Sequence, residues 1–159
     1  MSYRFPIAFA LLLLLLTIGC QGSSQPTAYP TTGLITFEGE PMKGGGAISF
    51  IPIGPQTGKP AGGLVNEDGT FSMTTYRQGD GSVAGKFRVI IMQTTTSEPT
   101  MVASDDGGEP VMSSGPIETV NKSQRIPLIY ADSAKSPITV EVTPQGNNQL
   151  TIDLTRKPT

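Results

Sequence analysis

Apolar and polar residues alternate with a period of two along much of this chain, and that period limits what it can fold into. In LITFEGE (34–40), Ile35 and Phe37 point one way, Thr36 and Glu38 the other. GKFRVIIMQ (85–93) sets Phe87, Val89 and Ile91 against Lys86 and Arg88. PITVEVT (137–143) sets Ile138, Val140 and Val142 against Thr139, Glu141 and Thr143. LTIDLT (150–155) sets Leu150, Ile152 and Leu154 against Thr151, Asp153 and Thr155. Successive side chains of a strand face opposite ways, so each stretch reads as a half-buried strand. AISFIPI (47–53) and TFSMTT (70–75) fit the same pattern, with Ile48, Phe50, Phe71 and Met73 as core residues, and AGGLV (61–65) is a weaker strand. No stretch after the apolar N-terminal run carries a helical stripe. The expectation is an all-β chain: a single antiparallel β-sandwich of about seven strands with Greek-key connections.

The punctuation agrees. EGEPM (38–42) places Gly and Pro between strands, and GDGSVAG (79–85) is a glycine-punctuated loop. NEDGTF (66–71) reads as a tight hairpin connection in which Gly69 is free to take positive φ. Asn66, Glu67 and Asp68 could also be read as calcium ligands. The loop lacks the length and the spaced carboxylates of a calcium loop, which favours a simple turn.

GLITFEGEPMKGGGAISFIP, VNEDGTFSM, DGSVAGKFRVII, IPLIYADSAKSPITVEV and GNNQLTIDL follow one another in this order. Together they resemble the small bacterial surface lipoproteins with a carboxypeptidase regulatory-like domain, of transthyretin-like (prealbumin-like) fold. The resemblance covers most of residues 33–155. It departs at Ala84, where the family has proline, at Phe87, where tyrosine is common, and at Val65-Asn66, which replaces Thr-Asp. The shared motifs are structural and imply no catalytic residues. An enzymatic branch of the same fold, the hydroxyisourate hydrolases, depends on histidines, and this chain has none.

What is missing narrows the chemistry. Without histidine there is no His general base and no His metal ligand. A Ser-His-Asp or Cys-His site cannot be built. One cysteine allows neither an intrachain disulfide nor a Cys-rich zinc site, and there is no tryptophan to stack on sugars or bases. The basic residues are scattered, with no patch suited to nucleic acid. The expectation is a chain with no cofactor, no metal site, no catalytic residue and no enzymatic activity.

The single cysteine stands in LTIGCQGSS (16–24). Arg4 precedes a continuously apolar run broken only by Thr17, from Ile7 to Ile18. The run is too short for the roughly 20 residues that cross a bilayer core, and it fits a secretory signal peptide. With Gly19 immediately before Cys20, the segment resembles the lipobox of bacterial lipoproteins, although Thr17 stands where leucine is usual. The resemblance implies cleavage between Gly19 and Cys20 and lipidation of the Cys20 thiol. Residues 21–32 are rich in Ser, Thr, Pro and Gln, as linkers are. The expected organisation is therefore a signal peptide at 1–19, a lipidated cysteine and flexible linker at 20–32, and the β-domain at 33–155.

Within that domain, residues 94–125 are polar and read as a long flexible loop. Asp105, Asp106 and Glu109 could form a weak divalent-cation site there, but carboxylates on such a loop are ordinarily just solvated. IPLIYAD (126–132) should re-enter at a sheet edge, with Pro127 at a strand start and the Tyr130 hydroxyl bonded to nearby backbone. The other tyrosines after the leader, Tyr29 and Tyr76, are spread out and make no stacking platform. The functional expectation is a non-enzymatic, lipid-anchored protein of the cell envelope, facing periplasm or exterior. It would have a structural or protein-interaction role, with the membrane as one partner and an envelope protein or glycan as another. The alternatives are a glycan- or peptide-binding surface protein and, further off, a hydrolase built on an Asp/Glu pair.

Overall fold

The computed structural model of the chain describes residues 25–54, 58–98, 101–102, 107, 109, 111–112 and 115–158. Gly19, Cys20, Asp105 and Asp106 lie outside the described residues. The alternating stretches become the strands β2 (Thr31–Phe37), β4 (Gly46–Pro52), β5 (Ala61–Val65), β6 (Thr70–Thr74), β8 (Gly85–Gln93), β13 (Thr139–Val142) and β14 (Asn148–Leu154). They join in one curled sheet in the order β13-β8-β4-β5-β6-β2-β14, with a short strand β3 (Glu40–Pro41) added to β2. The chain is all-β, with only two single-turn 3-10 segments among the described residues.

The period of two sets which face turns inward. Ile35, Ile48, Phe50, Phe71, Met73, Phe87, Val89, Ile91, Ile152 and Leu154 are all buried in one core. A slip of one residue in any strand would carry its apolar set to the outer face, so the core pins the register. Phe50 on β4 sits at the centre, edge-on to Phe71 at 6.5 Å and stacked on Phe87 at 5.7 Å.

Four expectations change. The sheet is not wholly antiparallel, because β14 runs parallel to β2 from Asn148↔Thr31 to Leu154↔Phe37. Such a pair needs a long crossover, and nearly the whole domain lies between these two strands. The linker stops earlier than residue 32. β1 (Ala28–Tyr29) pairs with β7 (Ser82–Val83), Thr31 is buried, and the Asn148 N–H donates to the Pro30 carbonyl at 2.8 Å. Thr and Tyr suit a pleated surface as well as a tether, so composition alone misplaced that boundary.

The segment 94–125 is not a structureless loop. β9 (Thr96–Ser97) pairs with β12 (Ile117–Glu118), and β10 (Met101–Val102) with β11 (Val111–Met112), both antiparallel. This makes a hairpin arm that extends β8, and its return side carries one residue more than its outgoing side between the two ladders. Glu109 lies exposed on it.

Finally, 126–132 does not form a strand. After Pro127, itself still extended at φ −58° and ψ 140°, Leu128–Ala131 makes one 3-10 turn. That turn drives Tyr130 into the core and leaves Leu128 87% exposed. The Tyr130 hydroxyl donates to the Thr155 carbonyl and accepts from the Thr155 N–H, both at 2.9 Å, and so ties the turn to the end of β14. Tyr130→Phe should cost about 1–3 kcal/mol, because it strands a backbone donor and acceptor. Urea unfolding read as a midpoint shift at constant slope checks this.

Candidate functional site

Four connections meet where β4 begins and β8 ends: residues 43–45, the 66–69 turn, 94–95 and 119–126. They meet because the glycine run of KGGGA lets them. Gly44 takes φ +81°, and a Cβ there would lie 2.3 Å from both the Thr94 carbonyl oxygen and a Val120 methyl. The Thr94 N–H donates to the Gly45 carbonyl at 3.0 Å.

Gln93 locks the junction. Its Nε2 donates to the carbonyls of Lys43 (2.8 Å) and Gln124 (3.0 Å), and its Oε1 accepts from the Ile126 N–H (3.0 Å). Nothing in the sequence singled out this glutamine at the end of a strand. Its partners lie 31 to 50 residues away, and only the fold brings them within reach.

Two grooves flank this clamp. One, of about 520 Å³, is lined by Thr94, Thr96, Ser97 and Thr119 together with Lys43 and Glu67. The other, of about 360 Å³, is lined by Ile91, Ile126, Pro127 and Leu128 together with Gln93 and Arg125. Arg125 is held by Glu118 across a 2.9 Å ion pair. The first groove can hydrogen-bond a polyhydroxylated or peptide-like ligand and meet one charge of each sign. The second can take an apolar side chain.

The carboxylates raised by the sequence do other work. Asp68 accepts from the Thr70 hydroxyl at 2.7 Å and the Thr70 N–H at 2.9 Å, which hold its carboxyl below the usual range, and Asn66 donates to the same hydroxyl. This is a turn closing on itself. Asp132 is lowered by the Ala134 N–H first, then by Lys135. Among the described residues no group of three or more Cys, Asp or Glu is placed to hold a metal ion.

The tyrosines are dispersed as well. Tyr29 is half-buried on β1, and Tyr76 is half-buried beneath the Lys59 amine, 5.0 Å from its ring centre. Tyr130 is in the core.

Fold and grooves together define an all-β domain with hydrogen-bonding clefts at its loop junction. No protein-family model matches the chain, and no curated protein matches it. Among solved structures it is similar to a 9R-lipoxygenase from Cyanothece PCC8801, at 11% identity and a TM-score of 0.35. The match covers 94% of this chain and 20% of that one. The expectation that the chain is not an enzyme is corrected against this match and is withdrawn. The likeness is too distant to put an activity in its place.

Proposed function

We propose that the chain is a lipid-anchored protein of the cell envelope, facing periplasm or exterior, whose β-domain serves a structural or protein-interaction role. One observation carries the reading: the only cysteine, Cys20, follows Gly19 at the end of a short apolar run behind Arg4. A lipid on Cys20 would bind the membrane by burying acyl methylenes at about 0.8 kcal/mol each, and more than one chain is needed for stable anchoring. From Gln21 to Thr27 the tether would hold the first strand up to roughly 25 Å from the lipid. Among the described residues no helix is long and apolar enough to cross a membrane.

We read the curled sheet as a Greek-key sandwich of the transthyretin-like, carboxypeptidase regulatory-like kind. The sequence motifs, the strand order and the single shared core support that reading. A second reading, a glycan or peptide binder, is favoured by the groove of Thr and Ser residues that bears Lys43 and Glu67.

Mass spectrometry of the mature N-terminus tests the anchor. The expected species begins at Cys20 and carries diacylglycerol on sulfur. Cys20→Ser should move the protein from the membrane to the soluble fraction by at least tenfold. An unmodified Cys20, or cleavage elsewhere, would overturn the assignment.

A further inference from the structure

The N-terminal chain enters the domain at the end opposite to the grooves. Gln25, Pro26 and Thr27 lie exposed beside Tyr76, Arg77 and Asp80 of the connection between β6 and β7. β1 then pairs with β7, and the Asn148 N–H donates to the Pro30 carbonyl. β8 joins the two ends. It runs from Gly85, just past β7, to Gln93 in the clamp, nine residues or about 30 Å of extended chain.

Charge at the entry end is unevenly matched. Its described ionisable residues are Lys59, Arg77, Lys86, Asp80 and Glu141. Glu141 faces Lys86 at 3.9 Å. Asp80 turns both oxygens onto the N–H groups of Thr75, Tyr76 and Arg77. Lys59 and Arg77 are exposed, and the Lys59 amine sits 5.0 Å from the ring centre of Tyr76, next to the incoming chain. The sequence holds no ionisable carboxylate or base from 21 to 30 or from 53 to 58.

We infer that this end of the domain rests on the lipid surface that holds the anchor, with Lys59 and Arg77 against headgroup phosphates and both grooves turned away from the membrane. The inference deepens the proposed anchoring at Cys20 and rests on it. Two observations select the lipid surface as the occupant. The first is reach. Gln25 already lies against the domain, so the chain from Cys20 to Gln25 spans at most about 17 Å. A domain standing on its groove end would lift Gln25 about 30 Å from the lipid, beyond that reach. The second is sign. Bases beside a membrane attachment point are drawn to anionic headgroups, on the order of fivefold in affinity for each base. The two carboxylates at this end are already engaged, one by Lys86 and one by backbone N–H groups. A partner of the grooves then approaches from the side away from the bilayer.

The chain has no tryptophan, so a single introduced one reports on its own position. Gln78→Trp at the entry end and Asn121→Trp beside the grooves both replace exposed residues. Each lipidated chain is placed in vesicles of phosphatidylglycerol and phosphatidylcholine that carry nitroxide-labelled headgroups, and quenching of its fluorescence is measured. Quenching of Gln78→Trp is expected to exceed that of Asn121→Trp at least threefold. Adding Lys59→Gln and Arg77→Gln, or using phosphatidylcholine alone, should cut that ratio at least twofold, while flotation with the vesicles and the circular dichroism spectrum stay unchanged. Equal quenching would place the domain on its side or swinging freely, and stronger quenching of Asn121→Trp would place the grooves on the lipid; either overturns the inference. A ratio indifferent both to the double substitution and to lipid charge would overturn it too, because the tether alone would then set the orientation. An unmodified Cys20 is instead a failure of the anchoring reading. Its free thiol, coupled to a maleimide lipid, still gives the same quenching comparison, so the two failures are read apart.

Discussion

Phe50→Ala is expected to remove about 3–5 kcal/mol of folding free energy, the range for deleting a buried phenylalanine ring. Phe50 is 0% exposed, and its ring meets Phe71 edge-on and stacks on Phe87. These three residues come from β6, β4 and β8, so one side chain joins strands that are not all neighbours in the sheet. The loss has two parts: the transfer energy of the ring, and a cavity that the surrounding core fills only in part. A domain of this size holds only about 5–15 kcal/mol in total. The variant should therefore unfold at a much lower urea concentration with an unchanged slope. Phe50→Leu keeps most of the volume and should cost less than half as much. Equal losses for the two variants would mean that ring contacts matter more than the cavity.

Phe50 was legible in the sequence because strand periodicity is local: residues two apart share a face whatever the rest of the chain does. The same holds for Ile35, Ile48, Phe87, Val89, Ile91, Ile152 and Leu154, all assigned inward from alternation and all buried. The Tyr130 hydroxyl could be placed on backbone because a buried phenol has to find a partner.

The misses share a cause, which is that the deciding partner lies far along the chain. Ala28 and Tyr29 are strand only because Ser82 and Val83 are beside them. The 94–125 segment is a paired arm only because its two halves meet each other. Ladders of two residues, such as Met101–Val102 with Val111–Met112, are too short to show a period of two. The parallel pairing of β2 with β14 is likewise a property of the assembled sheet and of neither strand alone. The two grooves depend on Gln93 reaching three backbone segments, so no local motif announces them.

The connection between β6 and β7 carries the second large expected effect, because it is wound around one carboxylate. Asp80 Oδ1 accepts from the Thr75 N–H at 2.7 Å, and Oδ2 from the N–H groups of Tyr76 (3.0 Å) and Arg77 (2.9 Å). The Thr75 hydroxyl donates onward to the Gly81 carbonyl at 2.8 Å, and the Gly81 N–H to the Met73 carbonyl at 3.0 Å. Gly81 must be glycine: its φ is +96°, and a Cβ would lie 1.8 Å from the Tyr29 carbonyl oxygen.

Asp80→Asn keeps the shape but turns an amide NH₂ toward backbone donors. It should cost about 1.5–3 kcal/mol, the value of a hydrogen bond to a charged group. Desolvation is the largest single influence on this carboxyl and raises it. The N–H groups of Thr75, Arg77 and Tyr76 together outweigh that and hold it below its ordinary value. The sign follows. Between the lowered folded value and the unfolded value of about 3.9, the unfolded chain binds more protons, so stability rises with pH across that window. The contribution is complete above the window and is lost as pH falls through the folded value. The difference in unfolding free energy between the native chain and Asp80→Asn should therefore stay constant from neutral pH down to about 5, then shrink as the acid limb is entered below about 4. Asp68 and Asp132 shift in the same direction and steepen the acid limb of both proteins equally, so the difference curve isolates Asp80. A difference that stayed flat into the acid limb would assign the loop's stability to its shape rather than to the charge at its centre.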